Sequence, residues 1–196
     1  MISKKNMEDI FDALDRQIDI CNGSPISLVV CGGTALFALG LVLRTTKDVD
    51  VLGEAVYSEK EIIVKKIDRF PERFLQAAKV VERDFELPKE WINIGPASQV
   101  ELGLPVGFEK RLVGRRYGKY LTIYFISRLD QIHFKLYAAL DRAGYHVDDL
   151  FALKPTKQEM EMAARWVLTQ DVSEGFKVIL KDFLRKKGYD DIAQRI

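Results

Sequence analysis

The chain has 196 residues, of which 47% are apolar and 30% charged, and its formal net charge is +1. This composition is typical of a globular domain with a sizeable core, and it excludes a disordered or strongly basic chain. Any nucleic-acid site must therefore be a local patch.

Apolar periodicity predicts alternating helices and strands in the first half of the chain. It predicts a helix over residues 6–20, a strand over 26–31, a helix over 34–43 and a strand over 49–52. The capping-box pattern Ser58-x-x-Glu61 predicts a helix to about residue 70, and Pro71 opens another that ends near residue 81.

Strands continue to about residue 126, and helices follow. We predict short strands at 91–94 and 111–113 and a strand at 120–126, then helices that begin after Ser127 and near residues 146, 156 and 173. This order predicts an α+β fold with four or five strands and a helical C-terminal part. The predicted domains are 1–153 and 154–196, and the two can pack as one unit.

The cysteines and the N-terminus indicate the compartment. Two cysteines and two histidines do not make a disulfide framework and, without a Cys-x-x-Cys pair, do not indicate structural zinc. The N-terminal residues contain no apolar signal segment, and no apolar run is long enough to span a bilayer. We therefore predict a cytoplasmic protein without a membrane partner.

Residues 29–52, VVCGGTALFALGLVLRTTKDVDVL, combine features of a phosphate and metal site. Asp48 and Asp50 are two apart on a strand, so their carboxylates share a face and suit Mg²⁺. Gly32 and Gly33 let the backbone approach a phosphate at a helix N-terminus. Thr34 adds a hydroxyl for a phosphate or a cap. Singly, each feature is more often an ordinary turn or a solvated face, but their joint order is rarer. Positive charge comes from Arg44 and Lys47.

The stretch CGGTALFALGLVLRTTKDVDVL resembles the nucleotidyltransferase superfamily, with its DNA polymerase β-like fold and its small mixed sheet flanked by helices. It looks most like minimal bacterial members, which include toxins of abortive-infection systems. The resemblance implies that Asp48 and Asp50 hold Mg²⁺ (or Mn²⁺), and that Gly32, Gly33 and Thr34 hold NTP phosphates. A nucleotide would pass to RNA or tRNA, a protein or a small molecule, and a toxin would have an antitoxin partner.

A second stretch, ISRLDQIHFKLYAALDRAGYHVDDLFAL, looks like the downstream motif of the same families. By this resemblance Lys135 is a catalytic or phosphate-binding residue, and Asp148 and Asp149 have a supporting role. The other interpretations are a snorkelling lysine and an N-terminal helix cap.

The third carboxylate of active members has no clear counterpart. The strand at 91–94 offers Asn93 there, and nearby glutamates are not distinguished by spacing. A catalytically degenerate member that binds nucleotide, RNA or a protein is therefore the alternative function.

One local basic cluster could carry nucleic-acid binding. It includes aromatic residues and consists of Lys110, Arg111, Arg115, Arg116, Tyr117, Lys119 and Tyr120. Such a cluster can follow a nucleic-acid backbone, although a solvated loop rim is the more ordinary interpretation. Binding with a strong salt dependence would identify a nucleic-acid module, which is the third hypothesis.

Overall fold

The computed structural model describes residues 1–3, 6–42, 45–59 and 61–196. The chain forms two compact units. The first comprises Met1–Glu101 and Gly107–Ser127, and the second comprises Leu102–Val106 and Arg128–Ile196. Arg44, which the sequence predicts in the phosphate site, lies outside the described residues.

The first unit is a mixed sheet flanked by helices, as predicted, but the described residues form six strands and not four or five. Its helices are α1 (Met7–Ile20), α2 (Gly32–Ala38) and α3 (Glu72–Asp84), with a short α4 (Gln99–Leu102) at its boundary. Its strands are β1 (Ile26–Cys31), β2 (Val49–Ser58), β3 (Glu61–Lys65), β4 (Ile92–Asn93), β5 (Val113–Arg116) and β6 (Leu121–Phe125). Among the described residues the strand order is β3-β2-β1-β6-β5, with β4 beside β2.

Strand direction sets which residues become neighbours. β1 is antiparallel to β2 and parallel to β6, while β4 is parallel to β2. β1 is therefore central, and its nearly continuous apolar sequence is buried on both faces. The start of β2 lies between the end of β1 and the short β4, which brings three separate chain segments together.

The core of the first unit lies on one face of this sheet. Leu28 and Phe125 from the sheet pack in one buried cluster with Phe11 from α1 and Phe74 from α3. The apolar stripe predicted on α1 is buried there because its residues recur every three or four positions. Burial of such side chains is worth about 1.5–3 kcal/mol each.

The second unit is helical. It contains α5 (Arg128–Arg142), α6 (Tyr145–Ala152), α7 (Lys157–Gln170), α8 (Glu174–Lys186) and α9 (Asp190–Arg195). The capping box that was predicted from Thr156 and Glu159 is formed at the start of α7. Ser173 caps α8 through its hydroxyl. α9 follows Gly188 and was not predicted.

Two sequence predictions about local structure were wrong. No helix starts at Ser58, because β2 continues to that residue and pairs with β3 in register Tyr57 with Ile62 and Ala55 with Val64. The β-branched run Ile62-Ile63-Val64 fits a strand better than a helix. The helix predicted over 34–43 begins earlier and ends at Ala38.

The compact units separate after Ser127, so α5 and α6 group with the later helices. The domain boundary at residue 153 stays a prediction. Within the described part of the chain, no helix combines the length and the hydropathy that a membrane span requires.

Candidate functional site

Asp48 and Asp50 stand at the beginning of β2. Val49 and Val51 are fully buried in the core of the first unit, so the alternating side chain of Asp50 lies on the other face of the sheet. Both aspartates are partly exposed. Asp50 pairs across the ladder with Cys31, the last residue of β1. The carboxylate of Asp50 is therefore beside the point where β1 gives way to α2.

Gly32 closely approaches Asp50. Its φ angle is +66°, and a Cβ built on it would lie 2.2 Å from Oδ2 of Asp50. A side chain therefore cannot occupy this position unless the carboxylate moves. The first glycine of the Gly-Gly pair thus has a steric reason to be glycine, beyond its left-handed backbone. Gly33 follows in α2 and is buried.

Two threonine hydroxyls hold the segment around Asp48. Thr34 is fully buried, and its Oγ1 donates to the carbonyl oxygen of Asp48 at 2.8 Å. Oγ1 of Thr46 donates to Oδ1 of Asp48 at 3.2 Å. Thr46 is fixed in turn by a backbone bridge to Ile2. Sequence reasoning missed Thr46, although a hydroxyl two residues before the first aspartate was the available signal.

Asn93 lies beside Asp50 on the neighbouring strand. β4 pairs with β2 so that the two residues are opposite one another, and Nδ2 of Asn93 is 3.5 Å from Oδ1 of Asp50. The amide oxygen of Asn93 accepts a hydrogen bond from the backbone N–H of Gly95 at 2.9 Å. The predicted third position is thus adjacent to Asp50, but it turns an amide N–H toward the carboxylate.

The donor set suits Mg²⁺ together with a phosphate. Mg²⁺ is usually held by one or two carboxylates plus substrate phosphate oxygens, which Asp48 and Asp50 fit. Among the described residues, no group of three or more His, Cys, Asp or Glu side chains could hold a metal ion by itself. Lys47 is exposed next to Asp48, where its positive charge is accessible to a phosphate.

The remaining predicted residues lie in the second unit. Nζ of Lys135 is 2.7 Å from Oδ2 of Asp149, and the two side chains are only 6% and 5% exposed. Nζ also lies 5.8 Å from the centre of the Tyr145 ring. Asp148 is exposed in the first turn of α6. Neither aspartate is the N-cap residue of α6, which is Gly144.

The comparisons with known proteins give one match. The family model described as "Nucleotidyltransferase of unknown function (DUF6036)" matches residues 5–149. The comparison with curated proteins found no match, and the comparison with solved structures found none either. The matched region contains the Gly-Gly turn, Asp48 and Asp50, and the Lys135–Asp149 pair. The chain therefore belongs to this nucleotidyltransferase family, and nucleotidyl transfer is the general activity that its membership supports.

Proposed function

We propose that the protein transfers a nucleoside monophosphate from an NTP to an acceptor, with Asp48 and Asp50 as ligands of Mg²⁺ or Mn²⁺. The observation that carries the proposal is the close approach of Gly32 to the Asp50 carboxylate. It supports a site in which a glycine backbone and a fixed negative charge are adjacent, as a metal-bound phosphate requires.

The chain supplies binding and orientation at this site. The backbone at Gly32 and Gly33 lies against the β- and γ-phosphates, and Lys47 adds positive charge. Arg44 belongs to the same proposed phosphate site on sequence grounds alone. Thr34, fully buried and bonded to the Asp48 carbonyl, acts as a positioning residue. A phosphate-binding role for Lys135 is proposed from the resemblance.

The reaction exchanges a phosphoanhydride bond of the NTP for a phosphoester bond to the acceptor. The acceptor hydroxyl oxygen bonds to the α-phosphorus, the bond from that phosphorus to the bridging oxygen breaks, pyrophosphate leaves, and the hydroxyl proton is released. When bound, the metal ion stabilises negative charge on the phosphate oxygens. Asp48 and Asp50 need to remain ionised, and their fixed positions remove much of the entropic cost of alignment.

The acceptor class and any antitoxin rest on the resemblance. RNA or tRNA, a protein side chain and a small molecule all offer the required hydroxyl. A toxin role would add a protein antitoxin as partner.

The test is a thermal-shift panel with each of the four NTPs, with and without Mg²⁺ or Mn²⁺. Ligand at about 100 times its Kd stabilises by about 2.7 kcal/mol, which raises Tm by roughly 5–10 °C at this chain length. We expect Asp48→Asn/Asp50→Asn to lose the metal-dependent shift.

The matched control removes two negative charges at a place away from the proposed site. Asp9→Asn/Asp12→Asn changes two acids of α1 in the same unit and should keep the full shift. Absence of a shift with every nucleotide, or equal loss in both double variants, would contradict the proposed site.

Asn93 favours a second candidate function, nucleotide binding without catalysis. Because its amide N–H faces Asp50, this position provides no third carboxylate to bind metal or accept the hydroxyl proton. The substitution Asn93→Asp supplies a carboxylate at this position. If wild type binds NTP with metal but releases no pyrophosphate, and Asn93→Asp releases it, the wild-type protein is a binding member of the family. Pyrophosphate release by wild type that Asp50→Asn abolishes supports the enzyme.

A further inference from the structure

An open pocket lies on the sheet of the first unit, away from the beginning of β2. Its volume is about 440 Å³, and its lining includes Tyr57, Arg116, Lys119, Thr122 and Tyr124. Among the described residues that line it, three are cations and none is an acid. A pocket of this volume accommodates a ligand of nucleotide size.

The pocket is on the same face of the sheet as Asp50. Tyr124 of β6 pairs with Val29 of β1, and Asp50 of β2 pairs with Cys31. Val29 and Cys31 are two apart on one strand, so they point to the same face, and their partners do as well. The register of β1 with β2 shifts between Val29 and Val30, where β2 has one extra residue. Tyr57, seven residues beyond Asp50, therefore also lies on this face, about 20 Å along the strand.

Tyr57 presents an aromatic surface in this pocket. Its side chain is 68% exposed, and its hydroxyl shares a hydrogen bond with that of Tyr124. Tyr124 is largely buried, and burial together with the bond to Tyr57 raises its pKa to about 12. Tyr124 therefore stays protonated near neutral pH and anchors the end of the Tyr57 side chain. An exposed, anchored ring on a sheet is suited to stacking with a nucleobase.

The cations beside this ring are accessible. Arg116 and Lys119 are both exposed, and in the described part of the chain neither forms an ion pair with a carboxylate. Nε of Arg116 donates to the carbonyl oxygen of Gly118 at 2.6 Å, which positions its guanidinium at the pocket. Lys119 lies over the ring of Tyr120, with Nζ 5.1 Å from its centre.

Arg115 also borders the pocket, but its side chain makes contacts within the fold. It forms an ion pair with Glu8, donates to the carbonyl oxygen of Ala38 at 3.2 Å, and lies over the Phe125 ring. Its charge is therefore used within the fold. This separates two adjacent arginines that the sequence alone could not distinguish, and it leaves Arg116 as the arginine available to a ligand.

We propose that this pocket binds single-stranded nucleic acid, with one base stacked on Tyr57 and neighbouring phosphates at Arg116 and Lys119. Glu59 and Glu61 follow Tyr57, in the turn after β2 and at the start of β3, so the negative strand passes on the side of β5. The shared face with Asp50 makes the bound strand a candidate acceptor. That last step rests on the proposed function, whereas binding itself does not.

The experiment measures fluorescence anisotropy of labelled U₁₂ and dT₁₂ with the full chain at several salt concentrations between 50 and 200 mM. We expect Tyr57→Ala to raise Kd about tenfold through lost stacking, with an unchanged salt slope. Tyr57→Phe keeps the ring and should raise Kd by less than about threefold. Arg116→Ala/Lys119→Ala should weaken binding and reduce the log–log salt slope by about 1.4.

The control Lys79→Ala/Lys89→Ala removes two exposed cations from the same unit and should leave Kd within about twofold. Asp48→Asn/Asp50→Asn should bind the oligonucleotides as wild type does, even if the nucleotide site fails. Equal binding of U₁₂ and dT₁₂ means that the sugar is not read, and preference for U₁₂ identifies RNA. No binding to either oligonucleotide, or a control as weak as Arg116→Ala/Lys119→Ala, overturns the proposal.

Discussion

Two of the closely spaced pairs of acids in the chain have different surroundings. Asp48 directly precedes β2 and Asp50 is the second residue of that strand, and both remain partly exposed. Asp148 and Asp149 are adjacent on a helix, where neighbours point about 100° apart. One is therefore exposed while the other is buried against Lys135.

The contacts of each pair indicate what its carboxylates are suited to do. Asp149 is neutralised inside the fold by a lysine 2.7 Å away, so its charge serves stability. Asp48 is held by the neutral hydroxyl of Thr46, and Asp50 is bordered by a glycine that leaves it room. The contact with Thr46 positions the Asp48 carboxylate without cancelling its charge, and a cation site requires such a charge.

The largest expected effect is from Asp149→Ala. The substitution leaves the Lys135 ammonium buried without its carboxylate, and breaking a buried pair in this way costs about 3–5 kcal/mol. The free energy of unfolding of the full chain, measured by urea denaturation, should fall by that amount. A loss below about 1 kcal/mol would mean that the two acid pairs do not differ in their contribution to stability.

The control for this prediction is Lys135→Met/Asp149→Leu. Replacing both charges with apolar groups of similar volume is often neutral or stabilising, so this variant should unfold near wild type. It also tests Lys135 in the proposed function. If the stable double variant keeps the full NTP-dependent shift in Tm, the lysine does not bind phosphate.

Gly32→Ala tests the space beside Asp50. The added Cβ meets Oδ2 at 2.2 Å in a backbone with φ of +66°. We expect a loss of about 2–3 kcal/mol from strain and displacement of the carboxylate, together with loss of the metal-dependent NTP shift.

Gly40→Ala is the matched control for the backbone alone. Gly40 has a φ of +71°, and no described atom outside its immediate neighbours lies within 4 Å of the place that a Cβ would occupy. The substitution should cost only about 1 kcal/mol and leave nucleotide binding intact. If both variants behave alike in stability and in binding, the approach of Gly32 to Asp50 has no specific role.

Glu159 is intermediate in exposure between the buried Asp149 and the exposed Asp148, and it is paired with Arg128. Its contribution to stability depends on pH. Hydrogen bonds from Arg128, and then from Thr156, lower the pKa of this carboxyl from 4.5 to about 2. The stability that Glu159 contributes is present above pH 4.5 and is lost as the pH falls toward 2. Because the Arg128 side chain is 35% exposed, solvent screening limits the contribution to about 1–2 kcal/mol.

Arg128→Met removes the cause of this pKa shift. Its free energy of unfolding should be lower than that of wild type at pH 7. The difference should narrow toward pH 2 to the part that comes from the Arg128 hydrogen bonds to the carbonyl oxygens of Leu153 and Lys154. Arg142→Met, at an exposed arginine of the same helix, should follow the wild-type pH profile. A constant difference between Arg128→Met and wild type from pH 7 to pH 2 would rule out the ion pair as the cause.

Sequence reasoning succeeded where the determining contacts are local. Thr156-x-x-Glu159 and Ser58-x-x-Glu61 are the same motif, yet only the first caps a helix. After Thr156 come residues with good helical propensity, whereas Ser58 is followed by Ile62-Ile63-Val64, which pair with β2. The capping motif marks a helix only if the residues that follow favour one.

The site was predicted in part for the same reason. The strand that contains Asp50 was predictable from local sequence, whereas the role of Asp48 and Asp50 as metal ligands stays a prediction. The bond from Thr34 to the Asp48 carbonyl, and the place of Asn93 beside Asp50, depend on how β1, β2 and β4 pair. The choice of Asp149 rather than Asp148 as the partner of Lys135 depends on helix packing. Periodicity does not specify these long-range contacts.

The smallest expected effect is from Asp148→Asn, the exposed neighbour of Asp149. Its charge interacts with the first turn of α6, a contribution of about 0.3–1 kcal/mol that salt reduces. At 0.15 M salt we expect a loss below about 0.5 kcal/mol and an unchanged NTP-dependent shift in Tm. A loss as large as that of Asp149→Ala would show that the exposed acid matters as much as the buried one. If the loss appears only at low salt, the contribution of Asp148 to stability comes from its charge at the N-terminus of α6. The contribution of Asp149 comes instead from its buried ion pair.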